Sequence, residues 1–352
     1  MSRILLRLFI IFLFCHSASS QRSDTTRIDE AAFDTFVRAV NLVDHHEYEE
    51  ALRTFETLIK EFPDHPIGYF GSAATYQTVM RNYRMNLYEA EYDSMLNTAI
   101  DIGAGAVTKN KRDAVAWFYL GGAYGFRGLY KVRKHDWVGA FADGLKGVRA
   151  LERALDLDPT LYDAYYGLGL YHYWRSAKGK VLGIPIFFAR DKEKGIREIW
   201  KAIEKGRYSE VSGKYALVAT YYDNEEYEKA WTLNQELYER FPTDPSCLYM
   251  RSRLAEKRGD WKTLGDVSRR LLNHIRSVGY PSIGYEMECY FRMALSQYHL
   301  ELYDDALINV NEALALKFRR EASREIEGPL EDFQEIAQQA ETLRQKILRK
   351  HD

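Results

Sequence analysis

The residues best suited to bind a metal ion stand together near the N-terminus. His45 and His46 precede Glu47, Glu49 and Glu50, and imidazole and carboxylate groups are the ligands of many zinc sites. Adjacent histidines point in different directions on a helix, however, and this segment is predicted to form the turn of a helical hairpin. We therefore expect a solvated, charged turn and no metal site here.

The other patterns that could support catalysis are incomplete. Gly167 and Gly169 lack the third glycine and the preceding strand of a dinucleotide site. The sequence has no phosphate-binding loop, no His-Glu-x-x-His and no Gly-x-Ser-x-Gly. His172 lies in a tyrosine-rich segment, where we expect a role in the core or a groove. The sequence therefore predicts no cofactor and a protein that is not an enzyme.

Length and composition describe an ordinary folded protein with an excess of tyrosine. The chain has 352 residues, of which 46% are hydrophobic and 28% charged, and 26 are tyrosine. Eight prolines and no long Ser/Gly tract argue against extended disorder. The net formal charge of −2 provides no overall attraction to nucleic acid or to an anionic membrane.

The N-terminus has the features of a secretory signal. Arg3 and Arg7 give it a positive start, residues 8–14 are a short apolar run, and small residues precede Gln21. We predict cleavage after Ser20 and export to the periplasm or the medium. A retained anchor and a lipoprotein anchored at Cys15 are the alternatives, and the bulky residue before Cys15 disfavours the second.

The pattern that predicts the architecture is centred on residues 117–124. Trp117, Leu120, Gly121 and Tyr124 lie on one face of a helix. Similar segments recur along the chain, and two of the intervals between them equal 34 residues. They predict first helices of hairpins that begin near Ala32, Pro66, Ala114, Tyr162, Val211, Pro245 and Met287.

This pattern resembles the tetratricopeptide repeat (TPR) family across most of the chain. Ala51, Phe55 and Pro63 match a second TPR helix with a small residue, a ring and a terminating proline. The match is weaker at 248–271, where Arg251 and Ser252 replace the expected leucine and glycine. The resemblance implies an all-α solenoid of about seven helix-turn-helix units, and it extends to exported bacterial TPR proteins of unassigned activity.

The predicted organisation departs from a plain repeat array in its middle and at its end. We expect a signal peptide (1–20), a short polar linker (21–29), the solenoid (30–318), and a charged linker with a C-terminal capping helix (319–352). Trp137, Phe141 and Leu145 predict a lengthened second helix. Residues 175–194 form an insertion interrupted by Gly183 and Pro185, either a contact loop or a segment buried on the solenoid.

Two cysteines follow the predicted signal. Cys247 and Cys289 fall at equivalent points of adjacent first helices. Helix axes pack ~8–10 Å apart, whereas a disulfide needs Cα atoms within ~7 Å. We therefore expect two buried thiols.

The resemblance also implies where a partner would bind. First helices line the concave side of a TPR solenoid, and the residue after the tryptophan site points into it. Arg253 and Glu256 would mark one end of that site. Across the seven units, with three further positions along the same face, these residues are all aromatic: Phe36, Phe70, Phe118, Tyr166, Tyr173, Tyr215, Tyr222, Tyr249, Phe291 and Tyr298.

Such a row has two interpretations. It could pack between repeats, or it could form a surface for an extended or helical peptide. We predict an exported protein-binding scaffold that recognises a polypeptide along this face, with no nucleic-acid partner and no membrane span after signal cleavage. The alternative is a carbohydrate- or small-ligand-binding protein that uses the same groove.

Overall fold

A computed structural model describes residues 30–134, 136–178, 191–279 and 282–351. These residues form fifteen α-helices, of which the first fourteen make seven antiparallel pairs. In chain order the pairs are α1 (Glu30–Asp44) with α2 (Tyr48–Glu61), α3 (Ile67–Tyr83) with α4 (Glu89–Lys109), α5 (Ala114–Arg133) with α6 (Trp137–Leu157), α7 (Ala164–Lys178) with α8 (Asp191–Lys205), α9 (Glu210–Asp223) with α10 (Tyr227–Arg240), α11 (Pro245–Arg258) with α12 (Trp261–Ser277), and α13 (Ile283–His299) with α14 (Tyr303–Leu316). The last helix is α15 (Phe333–His351).

The predicted fold class is confirmed. Each first helix begins within four residues of its predicted start, and the region of weak match around 248–271 forms the regular pair α11 and α12. The predicted long second helix is α6, with 21 residues. The predicted signal peptide and most of the 175–194 insertion lie outside the described residues.

Several helices begin where an aspartate satisfies the first free backbone amides. Asp113 accepts a hydrogen bond from Ala116 N at 2.9 Å, and Asp136 accepts one from Gly139 N at 2.9 Å. An N-cap of this kind stabilises a helix by about 1 kcal/mol. These two residues therefore fix the starts of α5 and α6.

Close approach of the two helices in the α5–α6 hairpin requires small residues. A Cβ atom added to Gly121 would lie 2.8 Å from Leu151 Cγ and 3.0 Å from Gly147 O. Those distances are shorter than van der Waals contact, so only glycine fits without a shift of α6. Gly121 thus allows α6 to approach α5 closely.

The C-terminal helix covers the end of the solenoid. The side chains along one face of this helix, Phe333, Ile336, Ala340, Leu343 and Ile347, are all buried in a cluster with α13 and α14. Helix α15 thus removes from solvent the apolar face that a further repeat would otherwise cover.

The two cysteines are also as expected, because Cys247 and Cys289 are free and buried.

The N-terminal pairs touch the C-terminal ones. Val79 and Tyr83, near the end of α3, belong to the hydrophobic cluster built by α8 to α13. Beyond α3, Ile326 N donates to Arg84 O at 2.8 Å and Asn86 N donates to Arg324 O at 2.9 Å. The chain therefore closes on itself across its concave side, which an open array of repeats does not do.

Candidate partner-binding surface

The ten predicted aromatic residues all lie on first helices, as the repeat pattern implies. They do not form an accessible surface, because seven of them have at most 9% of their surface exposed. Only Tyr166, Tyr215 and Tyr298 are partly exposed. The buried members are Phe36, Phe70, Phe118, Tyr173, Tyr222, Tyr249 and Phe291.

The buried rings of Phe36 and Phe70 pack against other aromatic rings of the chain. The Phe36 ring lies 5.1 Å from that of Tyr208 and 6.2 Å from that of Tyr119. Phe70 packs edge-on against Tyr119 at 5.7 Å and against Phe126 at 5.3 Å. Edge-to-face contacts at these distances stabilise the packing beyond burial alone. These rings therefore hold repeats together in the structure described.

In the C-terminal half, the side chain of Arg84 covers the face that was predicted to bind a partner. Arg84 follows α3 in the left-handed region, with φ of 54°, and its side chain is buried. Its guanidinium lies 3.7 Å from the ring centre of Tyr285 and 4.6 Å from that of Tyr249. Its Nη1 donates to Glu288 at 2.7 Å. Tyr249 is thus covered by a residue from the second hairpin, far earlier in the chain.

Arg253 and Glu256, expected to mark one end of the site, belong to the same closed region. Arg253 lies 3.0 Å from Glu256 and 2.9 Å from Glu331, and Arg292 lies 2.8 Å from Glu256. Opposite charges in such alternation satisfy one another when they are removed from water. This group joins α11, α13 and the segment before α15, and it leaves no open end of the face there.

A second contact between distant repeats is centred on Asp244. This aspartate caps α11 by accepting from Cys247 N at 2.6 Å, and it lies 2.6 Å from His46 Nε2 and 3.4 Å from Asn82 Nδ2. Tyr215 also lies close enough to interact with it electrostatically. Burial alone would raise the Asp244 pKa, but the hydrogen bond and charge of His46, with the Cys247 amide, hold the pKa below its ordinary value.

The charged segment at residues 45–50 is solvated as expected, with one exception. His45, Glu47, Glu49 and Glu50 are exposed, but the His46 side chain is only 15% exposed and lies 2.6 Å from Asp244. The exposed His45 ring also lies 5.3 Å from that of Phe241. His46 has a φ of 65°, which directs the turn toward α11. Within the described ranges no three His, Cys, Asp or Glu side chains are grouped as a metal site would need.

The part of the concave side that stays accessible surrounds Arg81. This side chain is exposed, and no ion pair joins it to a carboxylate of the described residues. Its Nε donates to Asn82 Oδ1 at 3.4 Å, and Asn82 Nδ2 donates to Asp244 at 3.4 Å. Burial raises the pKa of Tyr166 and Tyr215, and the Arg81 charge opposes the rise in both. We call Arg81, Tyr166 and Tyr215 the open concave site.

His172 has the expected role in packing. It is buried between α7 and α8, with Nδ1 2.6 Å from Glu198 and Nε2 3.2 Å from Lys194.

Among the helices that the structure describes, none is both long and apolar enough to cross a bilayer.

Comparisons with known proteins find similarity at the level of structure. Neither a protein-family model nor a curated protein matches the chain. A TPR protein from Thermus thermophilus is 19% identical over 64% of this chain and 97% of its own, with a TM-score of 0.41. The C-terminal part of a TPR-containing protein from Cytophaga hutchinsonii is 19% identical over 82% and 97%, with a TM-score of 0.44. A TPR protein from Parabacteroides merdae is 11% identical over 89% and 100%, with a TM-score of 0.39.

These values are too low to transfer any activity or partner to the chain. The fold assignment is carried by the molecule itself, through its seven described hairpins, their starts at the predicted positions, and the glycine contact inside the α5–α6 pair. By the order and pairing of its helices, this chain is a solenoid of the tetratricopeptide-repeat type.

Proposed function

We propose that the protein is an exported scaffold that binds a polypeptide partner through the open concave site. Buried aromatic rings hold the repeats together, so a partner would contact Tyr166 and Tyr215, which keep part of their surface in solvent. A phenol ring provides flat apolar area with a polar hydroxyl, a combination common where proteins bind peptides.

The proposal rests on Arg81, whose charged group is exposed and has no carboxylate partner among the described residues. Other arginines of the closed region, such as Arg84 and Arg292, have a glutamate at 2.7 and 2.8 Å. Arg81 is exposed and has no such partner in the part of the chain that the structure describes. Arginine beside tyrosine is a frequent composition of interface hot spots, and an acidic or amide group of a partner would satisfy the guanidinium.

Affinity capture from native membranes tests this proposal. The bait proteins are the wild type, Arg81→Glu and the matched control Arg344→Glu, which changes an exposed arginine on α15. We expect mass spectrometry to find proteins retained by the wild type and by Arg344→Glu but lost with Arg81→Glu. Retention of the same proteins by all three baits would show that the open concave site binds no polypeptide.

Capture of no protein by the wild type would favour the carbohydrate or small-ligand alternative. One cavity in the closed region, lined by Arg84, Glu288, Arg320 and Phe333, has a volume of about 10 Å³. Ligand pockets usually reach ~300–1,000 Å³, and this one is lined by residues that already form ion pairs. A thermal-shift screen with cell-wall sugars is the direct test of that alternative.

Export is a separate part of the proposal, supported by the sequence of residues 1–20 alone. Mass spectrometry of the mature protein from its native source should find Gln21 as the first residue. An intact Met1, or a lipid on Cys15, would contradict cleavage after Ser20.

A further inference from the structure

Three arginines and two aromatic rings alternate across α10, α11 and α12. The guanidinium carbon of Arg251, on α11, lies 4.4 Å from the ring centre of Trp231 and 4.2 Å from that of Tyr238, both on α10. Arg258 of α11 lies 4.3 Å from the Trp231 ring, and Arg270 of α12 lies 5.3 Å from the Tyr238 ring. We call these five residues the arginine ladder: Arg258, Trp231, Arg251, Tyr238 and Arg270.

The arginine ladder lies on the outer side of the solenoid. Tyr249 and Arg253, on the same helix as Arg251, belong to the closed concave face. Two residues turn an α-helix by about 200°, so Arg251 points away from that face. Trp231 and Tyr238 are on α10, which is a second helix, and second helices form the outer layer of such a solenoid. The ladder is therefore separate from the open concave site.

The ladder has more cations than carboxylates. Glu228 lies 2.9 Å from Arg258, whereas Arg251 and Arg270 form no ion pair with a carboxylate of the described residues. Arg270 instead donates to the Tyr238 hydroxyl. All five members keep part of their surface in solvent, so further carboxylates can reach the two unpaired guanidinium groups.

Arg251 stands where the repeat pattern predicts leucine. Its Nη1 is buried and has no hydrogen-bond partner among the described residues. Burial lowers the pKa of Arg251, and Asp260 opposes this decrease without coming within ion-pair distance, because Asp260 caps α12 by accepting from Thr263 N at 3.0 Å. A buried donor without an acceptor reduces stability. Leucine would suit packing here better than arginine, so packing alone does not account for Arg251.

A guanidinium that stacks on an aromatic ring can still bind a ligand. Stacking uses the faces of the planar group, whereas its N–H groups point outward in the plane, in the geometry that matches a carboxylate. The neighbouring rings provide flat apolar area for the side chains of a peptide. Arginine, tryptophan and tyrosine are also the residues most enriched in interface hot spots.

We propose that the arginine ladder binds an acidic segment of a polypeptide, with carboxylates on Arg251 and Arg270. Each ring already has two guanidinium groups against it, which leaves little ring face on which a nucleic-acid base could stack. The net formal charge of −2 also gives no broad attraction to a phosphate backbone. This site is independent of the open concave site, and the scaffold would therefore hold two polypeptides at once.

Fluorescence anisotropy with the full protein tests the proposal. The probes are a labelled decapeptide of alternating glutamate and alanine, the same peptide with glutamine for glutamate, and a ten-nucleotide oligothymidine. The ladder variants are Arg251→Leu and Arg270→Gln, and the control Arg149→Gln changes an exposed arginine on α6. We expect the wild type and Arg149→Gln to bind the glutamate peptide, and both ladder variants to bind it at least about tenfold more weakly. The glutamine peptide should not bind.

Two further measurements separate this site from the open concave site and from misfolding. Arg81→Glu should bind the glutamate peptide as the wild type does, whatever the affinity capture finds. Arg251→Leu should melt at or above the wild-type temperature, because it removes a buried donor without an acceptor. If it melts lower, Arg270→Gln decides, since Arg270 is exposed.

Four results would overturn the proposal. The wild type could fail to bind the glutamate peptide, or both ladder variants could bind it as well as Arg149→Gln does. Loss of binding in Arg81→Glu would place the acidic peptide at the open concave site instead. Finally, oligothymidine could bind more tightly than the glutamate peptide and be lost in the ladder variants, which would assign the ladder to nucleic acid.

Discussion

Replacement of Arg84 by methionine tests whether the closed arrangement of the solenoid is stabilised by the contacts described. The guanidinium is buried, lies 2.7 Å from Glu288, and stacks over the Tyr285 ring at 3.7 Å. Arg84→Met keeps much of the side-chain volume but removes the charge and the hydrogen bonds. Glu288 then has one described cation left, Arg292 at 3.3 Å.

The size of the effect follows from burial. Loss of one partner from a buried ion pair usually costs about 3–5 kcal/mol, because the other charge stays buried. The remaining contact with Arg292 offsets part of this cost, and loss of the stacking over Tyr285 adds about 1–2 kcal/mol. We therefore expect Arg84→Met to lower the free energy of unfolding by about 3–5 kcal/mol.

Urea unfolding followed by circular dichroism measures this change. The control is Arg53→Met, because Arg53 pairs with Glu50 at 2.7 Å while both side chains are more than half exposed. That change should cost less than about 1 kcal/mol. We also expect Arg84→Met to make the transition broader, since repeats that contact only their neighbours unfold less cooperatively. A loss below about 1 kcal/mol with an unchanged single transition would refute the reasoning.

Three further outcomes are expected. Burial raises the pKa of Asp44 to about 7, so its stabilising contribution is complete below about pH 4 and is lost as the pH rises through about 7. Asp44→Asn should therefore raise the melting temperature at pH 8 and change it little at pH 4, and equal effects at both would count against this. Gly169→Ala should lower the free energy of unfolding by about 1–3 kcal/mol, because the new Cβ would lie 2.6 Å from a backbone oxygen of α8. Gly125→Ala is the control, since its new Cβ would have no atom within 4 Å. In thermal melts it should raise the stability by about 0.5–1 kcal/mol. Thiol titration of the denatured, unreduced protein should find Cys247 and Cys289 both free, and the native protein should react slowly because burial raises both thiol pKa values.

Local pattern was sufficient to predict the hairpins. Helical spacing of apolar residues around Trp117, small residues such as Gly121, and the five apolar positions of α15 each act within one helix or between neighbours. Such short-range requirements are repeated along the sequence, and repetition makes them visible. For this reason the seven helix pairs and the long α6 were predictable.

The closure across the concave side was not predictable in the same way. Arg84 and Glu288 are 204 residues apart, and His46 and Asp244 are 198 apart, and neither pair belongs to a repeated position. The one available signal was the presence of arginine and glutamate on the predicted inner face, at Arg253 and Glu256. We interpreted these as an end of the binding site, whereas charged residues on a face lined by aromatic rings also indicate that another charged segment covers it.

The contacts of the first two hairpins with the sixth and seventh ones constrain how this architecture can evolve. An open array can gain or lose one unit, because every unit contacts only the adjacent ones. Here the deletion or duplication of a single hairpin would move Arg84 away from Glu288 and His46 away from Asp244, leaving both pairs unmatched. Homologous chains that keep these pairs should therefore have the same number of hairpins, and those that have lost the pairs should be the ones that vary in length.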